Sequence, residues 1–246
     1  MLTKRLLAIF AASTALMAAP AIAAPACSSP NALGTSRVVK LTAKDGARYG
    51  TNRYGPAPLR PKEVVLTFDD GPVAGTTPKI LAALRAECVR ANFFMIGKRV
   101  DATPEVARRV LADGHVLGSH SWSHVPMAQL APADQVTDFD KGLASITAIT
   151  GTPTRLYRFP EFKHTPELLD QARKEGVAVI GADISSEDWR GQAADITLAR
   201  VLQRLDEKQG GIVLFHDNQP HTIEVLPRFL QALKDRGYKV VQLVPG

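Results

Sequence analysis

The feature that most constrains the fold is a rhythm that begins at Pro61. Seven short runs of apolar residues, many β-branched or aromatic, recur down the chain. They are "VVLTF" (64–68), "NFFMIG" (92–97), "HVLGSH" (115–120), "RLYRF" (155–159), "VAVIGAD" (177–183), "GIVLFHD" (211–217) and "KVVQLV" (239–244). Near-continuous apolar strands are covered on both faces, as in a parallel sheet. Between them lie segments of helical period. "TTPKILAALRAECVR" opens on Thr77 and Pro78; "TPEVARRVLADG" and "TPELLDQARKEG" repeat that opening and end at Gly114 and Gly176. A hydroxyl cap, a proline in the first turn and a glycine just past the last one mark helix ends. "APADQVTDFDKGLASITAIT" and "DITLARVLQRLDEKQG" carry the same period.

Seven strands alternating with helices over residues 61–246 define an α/β domain. The units are too few for a regular eight-fold barrel, so the pattern leaves an irregular (β/α) barrel or an open doubly wound sheet. Both architectures put function at the C-terminal ends of the strands.

The upstream region is different. Residues 24–60 are rich in Pro, Gly, Arg and Ser and keep no period; "SRVVKL" predicts a short strand and "GPAP" a turn within a wrapping segment. At the start, Lys4 and Arg5 precede an apolar run from Leu6 to Ala19, then Ala21-Ile22-Ala23. That is the form of a secretory signal peptide over residues 1–23, and it predicts a secreted or periplasmic protein. The run is short for a membrane-spanning anchor, and Ala24-Pro25-Ala26 is a poor lipobox before Cys27. No stable membrane insertion is therefore expected after cleavage. The net charge of +6 falls to +4 when Lys4 and Arg5 leave, and no basic cluster is interleaved with aromatics, so nucleic acid is not indicated. Nothing in the pattern predicts more than a monomer. Cys27 and Cys88 are the two cysteines; in an oxidising compartment they form either one bridge or a free and a buried thiol.

The strand ends collect nearly every reactive group. The first ends in Asp69-Asp70-Gly71, the third in His120 with His124 beyond, and the fourth in Arg158-Phe159-Pro160. The fifth ends in Asp183 with Asp188-Trp189 following, and the sixth in His216-Asp217. In a parallel arrangement these converge on one rim. Catalytic zinc commonly has three His or carboxylate ligands and an open position for water. His120 and His124 supply two, and the aspartate pair supplies a carboxylate. Neighbours in an extended segment point opposite ways, so one aspartate can bind metal while the other faces the substrate. The plainer reading of "DDG" is an Asp-Gly turn capping the next helix. Asp69 is a candidate base, and His216 a candidate acid if a carboxylate keeps it protonated.

"TFDDGP" (67–72), "HSWSH" (120–124), "RFP" (158–160), "DW" (188–189) and "LFHD" (214–217) resemble, in order and spacing, the five motifs of the polysaccharide deacetylases. That family is carbohydrate esterase family 4, the NodB homology domain. The resemblance implies an irregular (β/α) barrel and metal-dependent hydrolysis of acetyl groups on sugars. It implies Asp69 as general base and Asp70, His120 and His124 as ligands of a divalent metal, zinc above all. Arg158 would hold Asp69, and Asp188 would keep the acid His216 charged. Pro160 and Glu161 would belong to the substrate-facing turn, and Trp189 and Leu214 would line the acetyl pocket. The expected partner is an N-acetylated oligo- or polysaccharide.

Two positions depart from the pattern: Glu161 replaces the usual tyrosine, and Ser185 stands where aspartate is frequent. The resemblance implies that the oxyanion contact comes from the main-chain N–H at position 161, which would survive the change provided the carboxylate points away. An O-acetyl esterase acting on a polymer such as xylan, or a glycan-binding homologue without turnover, are the rival readings. Trp122 is expected as a core filler or a sugar platform, His115 and His164 as solvated turn residues, and His221 as part of a helix start.

Overall fold

The computed structural model describes residues 29–246. The expected signal peptide and Cys27 lie outside that range; Cys88 is disulfide-bonded. In chain order the strands are β1 (Thr35–Leu41), β2 (Arg48–Tyr49), β3 (Glu63–Asp69), β4 (Asn92–Met95), β5 (Val116–Ser119), β6 (Leu156–Tyr157), β7 (Ala178–Ile180), β8 (Ile184–Ser185), β9 (Gly211–His216) and β10 (Lys239–Pro245). The helices are α1 (Thr77–Ala86), α2 (Gly97–Ala102), α3 (Pro104–Ala112), α4 (Pro132–Thr150), α5 (Pro166–Lys174), α6 (Ala194–Lys208) and α7 (Pro220–Asp235).

β3 organises the sheet and is buried at every position. It pairs in parallel with β4 on one side and β9 on the other. From β4 the parallel ladder runs on through β5, β6 and β7, while β8 pairs with β9. Between β7 and β8 the ring is carried by the chain itself, through Gly181–Asp183. The result is the expected irregular barrel, but its seven strands are not the seven of the sequence pattern. The run 177–183 breaks in two because Gly181 donates its N–H to Tyr49 O at 2.6 Å and Asn52 accepts from Ala182 N at 3.0 Å. The last run, β10, lies outside the ring: it pairs along its length with β1 and touches β3 only at Lys239 and Val240. "NFFMIG" also splits, since Gly97 starts α2. A Cβ there would sit 2.8 Å from the Trp122 ring.

Strand alternation decides what each face carries. Val64, Leu66 and Phe68 pack outward with Leu84, Leu205 and Phe229 of α1, α6 and α7. Val65 packs inward with Phe94, Leu156, Ala178, Ile180 and Ile212, over Val39, Leu41, Val241 and Leu243 of β1 and β10. This inner cluster floors the barrel, each large side chain contributing about 1.5–3 kcal/mol relative to exposure. Two or four residues further along the same inward parity come Thr67 and Asp69, His120, Arg158, Leu214 and His216. An apolar floor thus becomes a polar rim without any change of register.

Helix punctuation is as expected at α5, where Thr165 Oγ1 accepts from Leu168 N, and at the left-handed Gly114 and Gly176. Thr77 departs from expectation: it is the first helical residue, and its hydroxyl accepts from Val73 N and donates to Asp217 Oδ2 at 2.6 Å. Among the described residues no helix is long and apolar enough to cross a membrane.

Candidate active site

The two adjacent aspartates diverge, as extended backbone requires. Asp69 closes β3 and is 3% exposed; Asp70 follows in the left-handed region at φ 74°. Asp69 Oδ1 accepts from Arg158 Nη1 at 2.7 Å. Arg158 is fully buried, and its guanidinium also donates to Thr67 Oγ1 (2.8 Å), Ile180 O (3.1 Å) and Gly181 O (2.6 Å). It lies 4.3 Å from the Phe94 ring centroid. Gly118 leaves room for that ring, since a Cβ there would approach Phe94 to 2.6 Å. A planar cation bonded in so many directions cannot swing, and it fixes the carboxylate it holds.

Asp70 Oδ1 is buried with no hydrogen-bond partner. Nε2 of His120 lies 3.5 Å from it and Nε2 of His124 3.1 Å. The potential ligand atoms of Asp70, His120 and His124 all fall within 4.8 Å of one another. An orphaned carboxylate oxygen between two imidazole nitrogens is what a divalent cation would satisfy. Burial alone would favour neutral Asp70, but the imidazoles of His124, His120 and His216 outweigh it and hold the carboxyl well below its usual range. His120 Nδ1 sits 2.7 Å from Arg158 O; donating there leaves Nε2 with its lone pair toward the cluster.

The histidine turn is clamped from two sides. Gly97 N and Lys98 N at the start of α2 donate to Ser121 O and Trp122 O, both at 2.9 Å. From α4, the Asp138 carboxylate accepts from Ser123 N at 3.0 Å, Ser123 Oγ at 3.0 Å and Trp122 N at 3.3 Å. Trp122 is neither core filler nor open platform: it is half-buried, with Nε1 donating to Asp101 at 2.8 Å and Lys141 Nζ 3.2 Å from the ring centroid. Sequence reasoning missed Asp138, whose one signal was an acid on the buried face of a helical run.

Across the rim, His216 ends β9 directly opposite Asp69 in the β3–β9 register. Its Nδ1 lies 2.6 Å from Asp188 Oδ1. Asp188 is 1% exposed, and its Oδ2 accepts from His216 N at 2.7 Å and Thr222 Oγ1 at 2.5 Å. Burial pulls the His216 pKa down, but the bond and charge of Asp188, with Asp69 and Asp70 beyond, raise it to about 9. Leu214, nearly buried, precedes His216 on the inward parity, and Trp189, beside Asp188, is 53% exposed. Asp217, fully buried, bonds Thr77 and presses on Gly71, where a Cβ would fall 2.1 Å from its carboxylate. Burial raises its pKa to about 7.

Glu161 is left-handed at φ 52°, with its exposed carboxylate 2.6 Å from Lys163 Nζ, and Pro160 before it is buried. The carboxylate is thus engaged beside the rim rather than free within it. Ser185 Oγ accepts from Glu187 N at 3.3 Å, and Arg204 grips both Ser185 O and the Glu187 carboxylate. Three expectations fail. Asp183 leaves the rim for the opposite end of β9, accepting from Ile212 N and Thr51 N, both at 2.7 Å. His115 is buried, accepts from Ala91 N at 3.0 Å and packs on Phe93; burial lowers its pKa to about 4, so it is a neutral core residue. His164 is half-buried between the rings of Tyr54 and Phe159, at 6.0 and 5.3 Å. His221 lies in the first turn of α7 as expected.

Known proteins resemble this chain in sequence and fold. A family model described as polysaccharide deacetylase matches residues 57–180, from ahead of Asp69 to beyond Glu161. A chitooligosaccharide deacetylase of Bradyrhizobium sp. is 31% identical over 196 residues, 73% of this chain and 88% of that protein. The peptidoglycan-N-acetylglucosamine deacetylase PgdA of Listeria monocytogenes is 30% identical over 214 residues, 83% of this chain. The match spans only 45% of the length of that relative. The solved structure of a Bdellovibrio bacteriovorus peptidoglycan deacetylase aligns with a TM-score of 0.79 and 34% identity, covering 94% of this chain and 65% of that one. With half of its length under the family model and the motif residues assembled on one rim, this chain belongs to the polysaccharide deacetylase family.

Proposed function

We propose that the protein is a metal-dependent hydrolase that removes N-acetyl groups from a GlcNAc-containing glycan, with zinc as its ion. The observation that carries this reading is the orphaned Asp70 oxygen between two imidazoles, flanked by an arginine-locked carboxylate and a carboxylate-locked histidine. Asp70, His120 and His124 would hold the ion, which supplies Lewis-acid polarisation of the acetyl carbonyl and brings the pKa of water toward ~7. Asp69 accepts the proton of the attacking water; Arg158 keeps its Oδ2 aimed at the cluster, 3.7 Å from His120 Nε2. His216, tied to Asp188 through Nδ1, delivers a proton from Nε2 to the leaving nitrogen as the C–N bond breaks. Acetate and a free amine result. Trp189 and Leu214 wall the acetyl group. Pro160 and Glu161 form the adjoining turn, and Glu161 offers its main-chain N–H to the oxyanion while Lys163 engages its carboxylate.

In this reading residues 61–246 are the catalytic domain, 24–60 wrap it, and 1–23 direct a monomer to the periplasm or the exterior. Acetate release from chitooligosaccharides, peptidoglycan and acetylated xylan, with and without chelator, tests it. Chelator-sensitive release from the GlcNAc substrates is expected. Release from xylan alone would favour the ester reading, and no release from any would favour a glycan-binding homologue.

A further inference from the structure

The acid side of the site contains a residue that no motif includes. We propose that Thr222 is a positioning residue for the Asp188–His216 pair, acting through the carboxylate; this rests on the function proposed above. Asp188 is almost wholly buried, where an ionised carboxyl is costly unless its oxygens are filled by donors. Among the described residues its carboxylate has three: His216 Nδ1 on Oδ1, and His216 N and Thr222 Oγ1 on Oδ2. Two of the three belong to the residue being positioned. Thr222 supplies the one donor from another element, α7, and so ties the carboxylate plane to the framework independently of His216.

The placement of Thr222 fits that task. It is fully buried, and its hydroxyl must donate because an ionised carboxylate only accepts. Its main-chain N–H bonds Gln219 O at 3.2 Å, and Val225, Leu226 and Phe229 anchor the same helix in the outer core. The hydroxyl does not cap its own helix, whose N-cap, Gln219, makes no side-chain capping bond either. The positive end of α7 further favours the negative charge of Asp188. Without the Thr222 hydroxyl, the Asp188 carboxylate can rotate about its last bond and loosen its grip on His216 Nδ1.

The test uses the full chain loaded with zinc, as wild type, Thr222→Val and Thr222→Ser. Valine keeps the volume and loses the donor; serine keeps the donor. For Thr222→Val we expect kcat on a GlcNAc oligomer to fall roughly 10–100-fold, a part of the 10²–10⁴ a general acid supplies. KM should stay within about twofold, hydrolysis of an aryl acetate within about threefold, and zinc content unchanged. Thr222→Ser should recover most of the lost kcat. If Thr222→Val fails to fold, Thr222→Cys, of similar size and weaker as a donor, takes its place. An activity-free readout accompanies these: the low-field Nδ1 proton resonance of His216 should persist in wild type and serine and move upfield or broaden in valine. An unchanged resonance and kcat in Thr222→Val would overturn the assignment, as would serine falling as far as valine. A wild type inactive on amides, with the resonance still altered in Thr222→Val, would sink the proposed function and leave the positioning role standing.

Discussion

Asp69 and Asp70 are neighbours in sequence, yet one is held by a buried guanidinium while the other has an oxygen with no donor. The proposed roles, base and ligand, therefore separate under isosteric change. Asp69→Asn is expected to cut turnover by roughly 10²–10⁴ while zinc stays bound, and Asp70→Asn to weaken zinc itself. Equal loss of metal in both, read by equilibrium dialysis, would contradict the assignment. His216 gives a second prediction. Its folded pKa is raised to about 9, so the protonated form persists through neutrality and is lost only as the pH rises through that value. N-deacetylation should accordingly fall along an alkaline limb near 9, and Asp188→Asn, which removes the bond and charge that raise the pKa, should move that limb to lower pH. His216→Ala should reduce amide hydrolysis far more than aryl acetate hydrolysis, because a sugar amine leaves poorly unprotonated. A limb unmoved in Asp188→Asn would mean that His216 is not the titrating acid.

The elements explain what was legible beforehand and what was not. Near-continuous apolar runs gave β3, β5 and β9 almost to the residue, because their neighbours on both sides are strands of the same ring. The run 177–183 read as one strand since its break comes from distant partners, Tyr49 and Asn52, which no local period records. α2 was hidden by the apolar stretch before it, and its function is also non-local: its first amides hold the histidine turn. Asp138 on α4 holds the same turn from the other side. Asp138→Ala strips acceptors from Ser123 and Trp122 and should cost about 1–3 kcal/mol, seen as a fall in Tm of several degrees together with weaker zinc binding. A drop in Tm with zinc affinity intact would show the turn to be held by α2 alone.

Across the whole molecule, one topological fact makes the site readable from sequence: every ladder of the ring is parallel, so every strand delivers its C-terminal residue to the same rim. Asp69, His120, Arg158 and His216 share the inward parity that packs Val65, Leu156 and Ile212 against the floor built by β1 and β10. Their convergence follows from period and direction alone. The supports do not. Asp138 and Thr222 are set by how α4 and α7 approach the rim, and Asp183, a strand end by pattern, is diverted to the start of β9 by Ile212 and Thr51. The central claim is that this topology assembles a three-ligand metal claw beside a separate base. A crystal structure of the zinc-soaked protein tests it most directly. The account predicts one ion at ~2.0–2.2 Å from Asp70, His120 and His124, with Asp69 outside the coordination sphere and still bonded to Arg158. An ion bound through Asp69, or His120 and His124 with their ring nitrogens more than about 6 Å apart, beyond the reach of one zinc, would contradict it.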